Sequence, residues 1–257
     1  MTASEDETYR IVSDLARKDP RVKVSVIIPA YNEAYHFKQN VTLIEEAVKQ
    51  TMGSYEIIIA ENGSTDGTNI IAEELAEEDP HILHLHSDKR LGKGCALKRA
   101  LKASRGEVIV FIDADLAACL DHLPVIMEPI KEGYDGAIGS RNVKGARVKR
   151  PLSRAIASIA YNTLVRLLFR GGIRDHQCGF KAFRRQALES LIEDVESDGF
   201  FFDTELIVKA KRKGLLIAEV PITWREPGNR RSKVRLFRDG VKMGLELLKL
   251  RMKLWKR

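Results

Sequence analysis

Two acidic residues stand at the end of a strongly apolar run. Asp113 and Asp115 are separated by Ala114 and follow residues 107–112, a predicted strand. Two carboxylates that leave a strand together can approach one divalent cation, because such cations are held by oxygen ligands and by the diphosphate of a substrate. The competing interpretation is a solvated turn. The motif therefore predicts a metal site with a turn as its alternative.

Two other polar segments have the composition of ligand-binding loops. Residues 61–68 read Glu-Asn-Gly-Ser-Thr-Asp-Gly-Thr, which is typical of a turn and a helix N-cap and also suits a loop that grips a nucleotide base. Residues 90–94 read Arg-Leu-Gly-Lys-Gly ahead of a predicted helix, where backbone amides can approach a phosphate. The spacing is not that of a P-loop. Either segment alone is a weak indication of function.

The histidines and cysteines give no indication of a catalytic or metal centre. His84 and His86 would share one face of a strand, but no carboxylate or cysteine stands beside them at ligand spacing in the sequence. We therefore expect ordinary surface or half-buried histidines, His81 included. Three cysteines without a Cys-x-x-Cys pair argue against a disulfide framework or a zinc cage and favour a reducing, cytoplasmic setting.

The surrounding elements alternate between strand and helix. Apolar, β-branched runs predict strands over 22–28, 55–60, 82–86 and 107–112, and helical patterns occupy 33–50, 68–78 and 94–104. This order predicts an α/β fold with a mostly parallel central sheet and helices on both faces. Ligands of such sheets bind at the carboxyl ends of the strands, where the polar segments fall.

The net charge of +7 on 257 residues is unevenly distributed. Residues 136–174 contain nine basic and no acidic residues, and residues 233–257 contain nine basic residues against Asp239 and Glu246. Two basic zones indicate an anionic partner: nucleic acid, a membrane surface or a phosphorylated substrate. Nucleic acid is disfavoured, because basic residues interleaved with exposed aromatics are lacking. Nothing in the sequence indicates an oligomeric state.

The apolar pattern predicts contact with a membrane surface without a spanning helix. Uncharged stretches reach about eleven residues, short of the ~20 that a spanning helix needs, and no signal segment opens the chain. The last predicted helix combines lysines and arginines with a stripe of apolar residues at helical spacing, as in helices that lie among lipid headgroups. Residues 155–169 form a second candidate; in both, the stripe could instead pack on the domain. The C-terminal stripe comprises Phe237, Val241, Leu245, Leu248, Met252 and Trp255.

The polar segments occur in the order seen in inverting family 2 glycosyltransferases of the GT-A fold. That order is 29–33, 61–68, 90–94 and 113–115. The segments downstream resemble dolichyl-phosphate glucosyltransferases and, next, the mannosyltransferases. These segments are 139–141, 174–181, 202–206, and 224–226 with 232–233. The resemblance covers about residues 23–245. It implies three regions: an N-terminal helical extension over 1–22, a GT-A domain over 23–232 and a basic amphipathic helix over 233–257.

The resemblance also implies roles for individual residues. The donor would be a nucleotide sugar, the acceptor a polyprenyl (dolichyl) phosphate, and the cation Mg²⁺ or Mn²⁺ on Asp113 and Asp115. The acceptor phosphate would meet Arg141, Arg154 and Ser158. The residues implied at the nucleotide sugar are Pro29, Tyr31, Glu33, Glu61, Asn62, Lys93, Asp113, Arg225 and Lys233. Asp113, Asp115, Arg141 and Arg154 would carry the chemistry, on a protein attached peripherally to the cytoplasmic face of a membrane.

Two departures from the family pattern point to a uridine donor. Glu61-Asn62 replaces the usual Asp-Asp, and an asparagine can accept from uracil N3–H, whereas guanine offers two donors that a carboxylate satisfies better. Ala117 replaces a glutamine of the mannosyltransferase pattern. We expect glucose from UDP-glucose. UDP-N-acetylglucosamine, a glucuronate donor, GDP-mannose, a soluble glycan acceptor and a non-catalytic scaffold are the alternatives.

Overall fold

The computed structural model describes residues 9–11, 22–226 and 236–255. Its helices are α1 (Phe37–Thr51), α2 (Thr68–Glu78), α3 (Lys93–Ala103), α4 (Leu123–Lys131), α5 (Leu152–Phe169), α6 (Arg185–Ile192), α7 (Phe202–Arg212) and α8 (Leu236–Trp255). Its strands are β1 (Tyr9–Ile11), β2 (Val24–Ala30), β3 (Tyr55–Glu61), β4 (Ile82–Ser87), β5 (Val108–Phe111), β6 (Gly136–Ser140), β7 (Arg147–Lys149), β8 (Lys181–Arg184), β9 (Ile217–Pro221) and β10 (Thr223–Arg225).

The central sheet has eight strands in the order β1-β4-β3-β2-β5-β8-β6-β9. Strands β4, β3, β2 and β5 run parallel, and β6 runs parallel to β9. β8 is antiparallel to both β5 and β6, so β6 ends at the same edge as β5. Every residue of β3 is buried, as expected for a strand covered on both faces. The predicted α/β fold with a mostly parallel sheet is confirmed.

The prediction that residues 1–22 form a helical extension is wrong for residues 9–11. Tyr9–Ile11 form the edge strand β1, which pairs antiparallel with β4. An edge strand presents unpaired backbone groups to any segment that can extend beside it, and β4 offers such an edge. Apart from Val22, the rest of that extension lies outside the described residues. Helix α1 also begins at Phe37 instead of residue 33, because residues 31–36 form a loop tied to the segment 61–68.

Helices α5 and α8 share a small core with α7. Val165, Val208, Met243 and Leu247 are buried in it. The opposite sides of both helices remain apolar and open: Leu152, Ile156, Ile159, Leu164, Leu167, Val241, Leu245, Leu248, Met252 and Trp255 are all exposed. One stripe of each helix therefore packs on the domain, and a second apolar stripe on each faces outward.

Candidate active site

A network of four buried or half-buried charges lies at the carboxyl edge of the sheet. The Nζ atom of Lys93, at the start of α3, lies 3.0 Å from Oδ1 of Asp113 and 3.1 Å from Oδ2 of Asp203. Lys181, fully buried at the start of β8, lies 2.5 Å from Oδ1 of Asp203. Lys93 was predicted at the nucleotide sugar; in the structure its ammonium lies against the carboxylates of Asp113 and Asp203.

The network stays charged because its members compensate one another. Burial alone would lower the pKa of Lys93, but the charges of Asp113 and Asp203 outweigh it and raise that pKa. Burial alone would raise the pKa of Asp203, and the charges of Lys181 and Lys93 lower it instead. Asp203 thus holds the Lys93 ammonium at Asp113, which supplies a fixed positive charge beside the predicted diphosphate position.

The surroundings of Asp113 and Asp115 fit a hard divalent cation. A side chain at Gly179 would place its Cβ 1.8 Å from Oδ2 of Asp113, so only a glycine leaves room for that carboxylate. Oδ1 of Asp115 accepts a hydrogen bond from the Ala117 amide at 3.2 Å. Both carboxylates are half-buried on the turn that closes β5, and their oxygens match the ligand preference of Mg²⁺ and Mn²⁺.

The predicted nucleoside residues form one wall at the ends of β2 and β3. The guanidinium of Arg90 lies 4.2 Å from the ring centre of Tyr31. The Glu33 amide donates to Oγ1 of Thr68 at 2.8 Å, and Pro29, the last residue but one of β2, is half-buried. The segments 29–33, 61–68 and 90–94, which are distant in the sequence, are therefore brought together.

Glu61 and Asn62, which stand where the family usually has Asp-Asp, both accept hydrogen bonds from within the protein. Oδ1 of Asn62 accepts the amides of Leu91 at 2.8 Å and of Gly92 at 3.3 Å. The expectation that this oxygen accepts from uracil N3–H is therefore wrong, because backbone amides already occupy it; the amide Nδ2 is the group left to reach a base. Glu61 is fully buried, and its Oε1 accepts the Ser64 amide at 2.5 Å.

Arg141 follows β6 and is held in place by a buried carboxylate. Its Nε and Nη2 lie 2.7 and 2.8 Å from the two oxygens of Asp175, and its guanidinium lies 4.7 Å from the ring centre of Trp224. Burial would lower the pKa of Arg141, but Asp175 raises it, with a smaller contribution from Asp113. Arg141 thus lies near the carboxyl edge of the sheet, as predicted, although Asp175 already binds two nitrogens of its guanidinium group.

The remaining acceptor residues lie on α5. Arg154 forms an ion pair with Glu226, which follows β10, and Ser158 lies half-buried one turn further along, where its carbonyl accepts from Nδ2 of Asn162. Arg225 is exposed, and its amide donates to the Ala117 carbonyl at 2.7 Å. The predicted phosphate contact of Lys233 lies outside the described residues.

Sequence reasoning assigned no role to several charged residues that shape this site. Lys181, Asp203, Asp175 and Glu226 fall in segments that carry the family resemblance, but their partners stand far away in the chain. Arg150 is a further cation near Arg141 and belongs to the segment 136–174, which has no acidic residue. Burial and the charge of Arg141 lower the pKa of Arg150. Its Nε has no hydrogen-bond partner among the described residues.

Comparison with known proteins identifies the family. The sequence model described as glycosyl transferase family 2 matches residues 25–192, which include the turn with Asp113 and Asp115. This chain belongs to glycosyl transferase family 2. A glycosyltransferase named AglD from Haloferax volcanii is 46% identical over 231 residues, which are 89% of this chain and 37% of that protein. The chain therefore spans little more than a third of that relative's length.

Two other family 2 relatives are covered more completely. A polyprenol monophosphomannose synthase of Mycolicibacterium smegmatis is 36% identical over 219 residues, 83% of this chain and 81% of its own length. A dolichyl-phosphate beta-glucosyltransferase of Trichomonas vaginalis is 31% identical over 242 residues, 89% of this chain and 73% of its own length. This chain is accordingly a family 2 glycosyltransferase.

Solved structures agree with the GT-A fold of this family member. Glucosyl-3-phosphoglycerate synthase of Mycobacterium tuberculosis bound to UDP superposes with a TM-score of 0.68 at 24% identity, over 93% of this chain and 83% of the other. The same enzyme bound to Mn²⁺ and UDP-glucose gives 0.64 at 23% identity, over 93% and 81%. Among the described residues of this chain, every helix is too short or too polar to span a bilayer.

Proposed function

We propose that this protein transfers a sugar, glucose first among the candidates, from a UDP-sugar to a polyprenyl phosphate with inversion at the anomeric carbon. One observation carries the proposal: β5 and β6 end at the same edge of the sheet, so the Asp113–Asp115 turn and Arg141 both lie at that edge. Two relatives are named for transfer involving polyprenol or dolichyl phosphate, which supports this acceptor class.

In the proposed mechanism, Asp113 and Asp115 would hold Mg²⁺ or Mn²⁺, and the cation would supply positive charge to the leaving diphosphate. Lys93 adds a second positive charge there. A phosphate monoester has a second pKa of about 6 and is already anionic at neutral pH, so no general base has to remove a proton from it. The task of the protein is to hold two anionic groups close together, and guanidinium groups do this through charge-assisted hydrogen bonds.

Arginines around the end of β6 suit the acceptor phosphate. Asp175 fixes the guanidinium of Arg141 at the edge, and Arg150 brings a guanidinium nitrogen without a described partner. Arg154 is paired with Glu226, so a phosphate that binds Arg154 would compete with that carboxylate. Asp175 and Glu226 already balance Arg141 and Arg154, so the positive charge that an entering anion would meet comes from Arg150 and the other basic residues of 136–174, a segment without acidic residues.

A panel of donors and acceptors tests the proposal. The purified protein is incubated with UDP-glucose, UDP-N-acetylglucosamine, a UDP-glucuronate donor or GDP-mannose, with a short polyprenyl phosphate and Mg²⁺ or Mn²⁺, and products are read by mass spectrometry. We expect a lipid-phosphate hexose from UDP-glucose and no product without metal. Product only with a soluble glycan, or only from GDP-mannose, would contradict the acceptor or the donor, respectively.

The proposed location is the cytoplasmic face of a membrane, with peripheral attachment through α5 and α8. The outward stripe of α8 is flanked by exposed Lys242, Lys249 and Lys253, so apolar and cationic groups lie side by side. That pairing suits an anionic lipid surface. Helix α5 carries Arg154 and Ser158, which would place the acceptor-phosphate residues close to the headgroups that present the acceptor.

Replacing Leu245 and Leu248 together with glutamine should weaken vesicle binding several-fold, because both side chains are more than half exposed and carry the outward stripe. Co-sedimentation with phosphatidylcholine–phosphatidylserine vesicles at low salt measures this. The matched control replaces Ile70 and Leu216, which are equally exposed elsewhere. Equal sedimentation of both variants, or none by the wild type, would rule out attachment through this stripe.

A further inference from the structure

Three potential metal ligands converge at the ends of β3 and β4. The strands are parallel with Ile59 opposite His84 and Ala60 opposite Leu85, which brings Glu61 opposite His86. Side chains alternate along a strand, so His84, His86 and Glu61 lie on one face of the sheet. The sequence analysis found no carboxylate beside these histidines; strand pairing supplies one from 25 residues upstream.

The ligand atoms are already close to one another. Oε2 of Glu61 lies 2.6 Å from Nδ1 of His86, and one ligand atom from each of the three residues lies within 4.8 Å of the other two. The two imidazole rings are 5.9 Å apart between centres. Tetrahedral zinc holds nitrogen and oxygen ligands at about 2.0–2.2 Å, hence about 3.3 Å from one another. To reach that spacing, the ligand atom of His84 would have to move toward the Glu61–His86 pair.

His84 is the residue that most requires an explanation. It is 1% exposed, and neither of its ring nitrogens has a hydrogen-bond partner among the described residues. Buried polar groups are ordinarily paired, and an unpaired one marks a missing water or ion.

The groups behind these ligands also fit a metal site. Nε2 of His86 lies 3.2 Å from Oδ1 of Asp88, which is the carboxylate–histidine arrangement that orients a ligating imidazole through its other nitrogen. Oε1 of Glu61 accepts the Ser64 amide, and Oε2, which faces His86, also accepts the Ser87 amide at 3.5 Å. Two imidazoles and one carboxylate suit zinc, whereas the oxygen-only pair Asp113–Asp115 suits Mg²⁺ or Mn²⁺.

We propose that Glu61, His84 and His86 form a second metal site, of the zinc class and separate from the Asp113–Asp115 site. It would bind Zn²⁺ with a fourth position open beside the half-buried His86. Because Glu61 begins the segment 61–68, the ion would tie that segment to the end of β4. The site would therefore position the wall of the nucleotide pocket and take no part in the transfer itself.

Cobalt titration of the metal-free protein tests this site directly. Co²⁺ is added to chelator-treated full-length protein without nucleotide, and its ligand-field absorption is followed. We expect one equivalent to bind with the intense bands of four-coordinate Co²⁺, and one equivalent of Zn²⁺ to abolish them. His84→Leu and His86→Gln should each weaken Co²⁺ binding at least tenfold, and Asp88→Asn should weaken it by about tenfold through loss of orientation.

The controls separate this site from the rest of the molecule. His81→Gln removes an exposed histidine that pairs with Asp79, and Asp115→Asn removes a ligand of the other site; both should keep the four-coordinate bands. If His84→Leu does not fold by circular dichroism, His86→Gln at the half-exposed position decides. Absence of the bands in the wild type, or unchanged bands in His86→Gln, would overturn the proposal. Neither result bears on sugar transfer, which is assayed separately with Mg²⁺.

Discussion

Replacing Asp115 with asparagine should lower sugar transfer by about 10²–10³-fold while leaving the fold intact. Removal of one preorganised group that stabilises developing charge typically costs a factor of this size. The asparagine keeps the shape of the side chain, and its oxygen can still accept the Ala117 amide. What is lost is one negative charge that the divalent cation needs. We therefore expect a lower rate of transfer and a changed dependence of that rate on metal concentration.

The measurement is the rate of UDP release and of lipid-phosphate hexose formation at several metal concentrations. Glu77→Gln, an exposed acid on α2, is the matched control and should retain the wild-type rate. Far-UV circular dichroism should be unchanged in both variants. Transfer at the wild-type rate by Asp115→Asn, with an unchanged metal requirement, would remove Asp115 from the proposed site.

Replacing Arg141 with alanine should lower the free energy of unfolding by about 3–5 kcal/mol, the usual cost of breaking a buried ion pair by removing one partner. Asp175 is fully buried, and Arg141 supplies its amide, Nε and Nη2 to the two carboxylate oxygens. Without the guanidinium, a buried carboxylate charge is left without its main compensation. The loss should appear in urea unfolding curves at pH 7.

Two companion variants distinguish the pair from its surroundings. Lys144→Ala removes an exposed charge from the same segment, 136–174, and should change the free energy of unfolding by no more than about 0.5 kcal/mol. Arg141→Met combined with Asp175→Leu should recover most of the lost stability, because no buried charge is left alone. The double variant should still fail to transfer sugar. If Arg141→Ala were as stable as Lys144→Ala, the pair would not stabilise the fold.

The pH dependence of this pair has a definite sign. Burial would raise the pKa of Asp175, but the charge of Arg141 and its hydrogen bonds lower it below the ordinary value of 3.8. A carboxyl whose pKa is lower in the folded state stabilises the fold above the unfolded pKa and loses that contribution as pH falls through the folded one. The stability difference between wild type and Asp175→Asn should therefore be full at pH 7 and shrink below pH 3.8.

Much of the fold was predictable from sequence because it depends on local pattern. Helix α2 has the predicted bounds, 68–78, and the four parallel strands lie within two residues of their predicted ends. Apolar runs flanked by polar turns define strands wherever the sheet is covered on both faces. The extension 1–22 was predicted less well, since the strand at Tyr9–Ile11 exists only because β4 offers an edge.

The candidate site was predictable as a set of segments but not as a set of contacts. The positions of the polar segments placed Asp113 and Asn62 at one edge, because carboxyl ends of parallel strands meet there. Arg141 was implied only by the family resemblance. Neither revealed that backbone amides occupy the Asn62 oxygen or that Lys93 stands between Asp113 and Asp203. Those contacts depend on loop conformations that no periodicity encodes.

The sequence by itself determined the family, the strand and helix pattern and the two carboxylates at the end of β5. Only the tertiary structure decided which charges meet: Arg141 with Asp175, Arg154 with Glu226, and Glu61 with His86. The physical reason is that side-chain types and hydrophobic periods are local properties of the chain. Charge pairing follows from strand order, and the insertion of antiparallel β8 between β5 and β6 sets that order for half of the site.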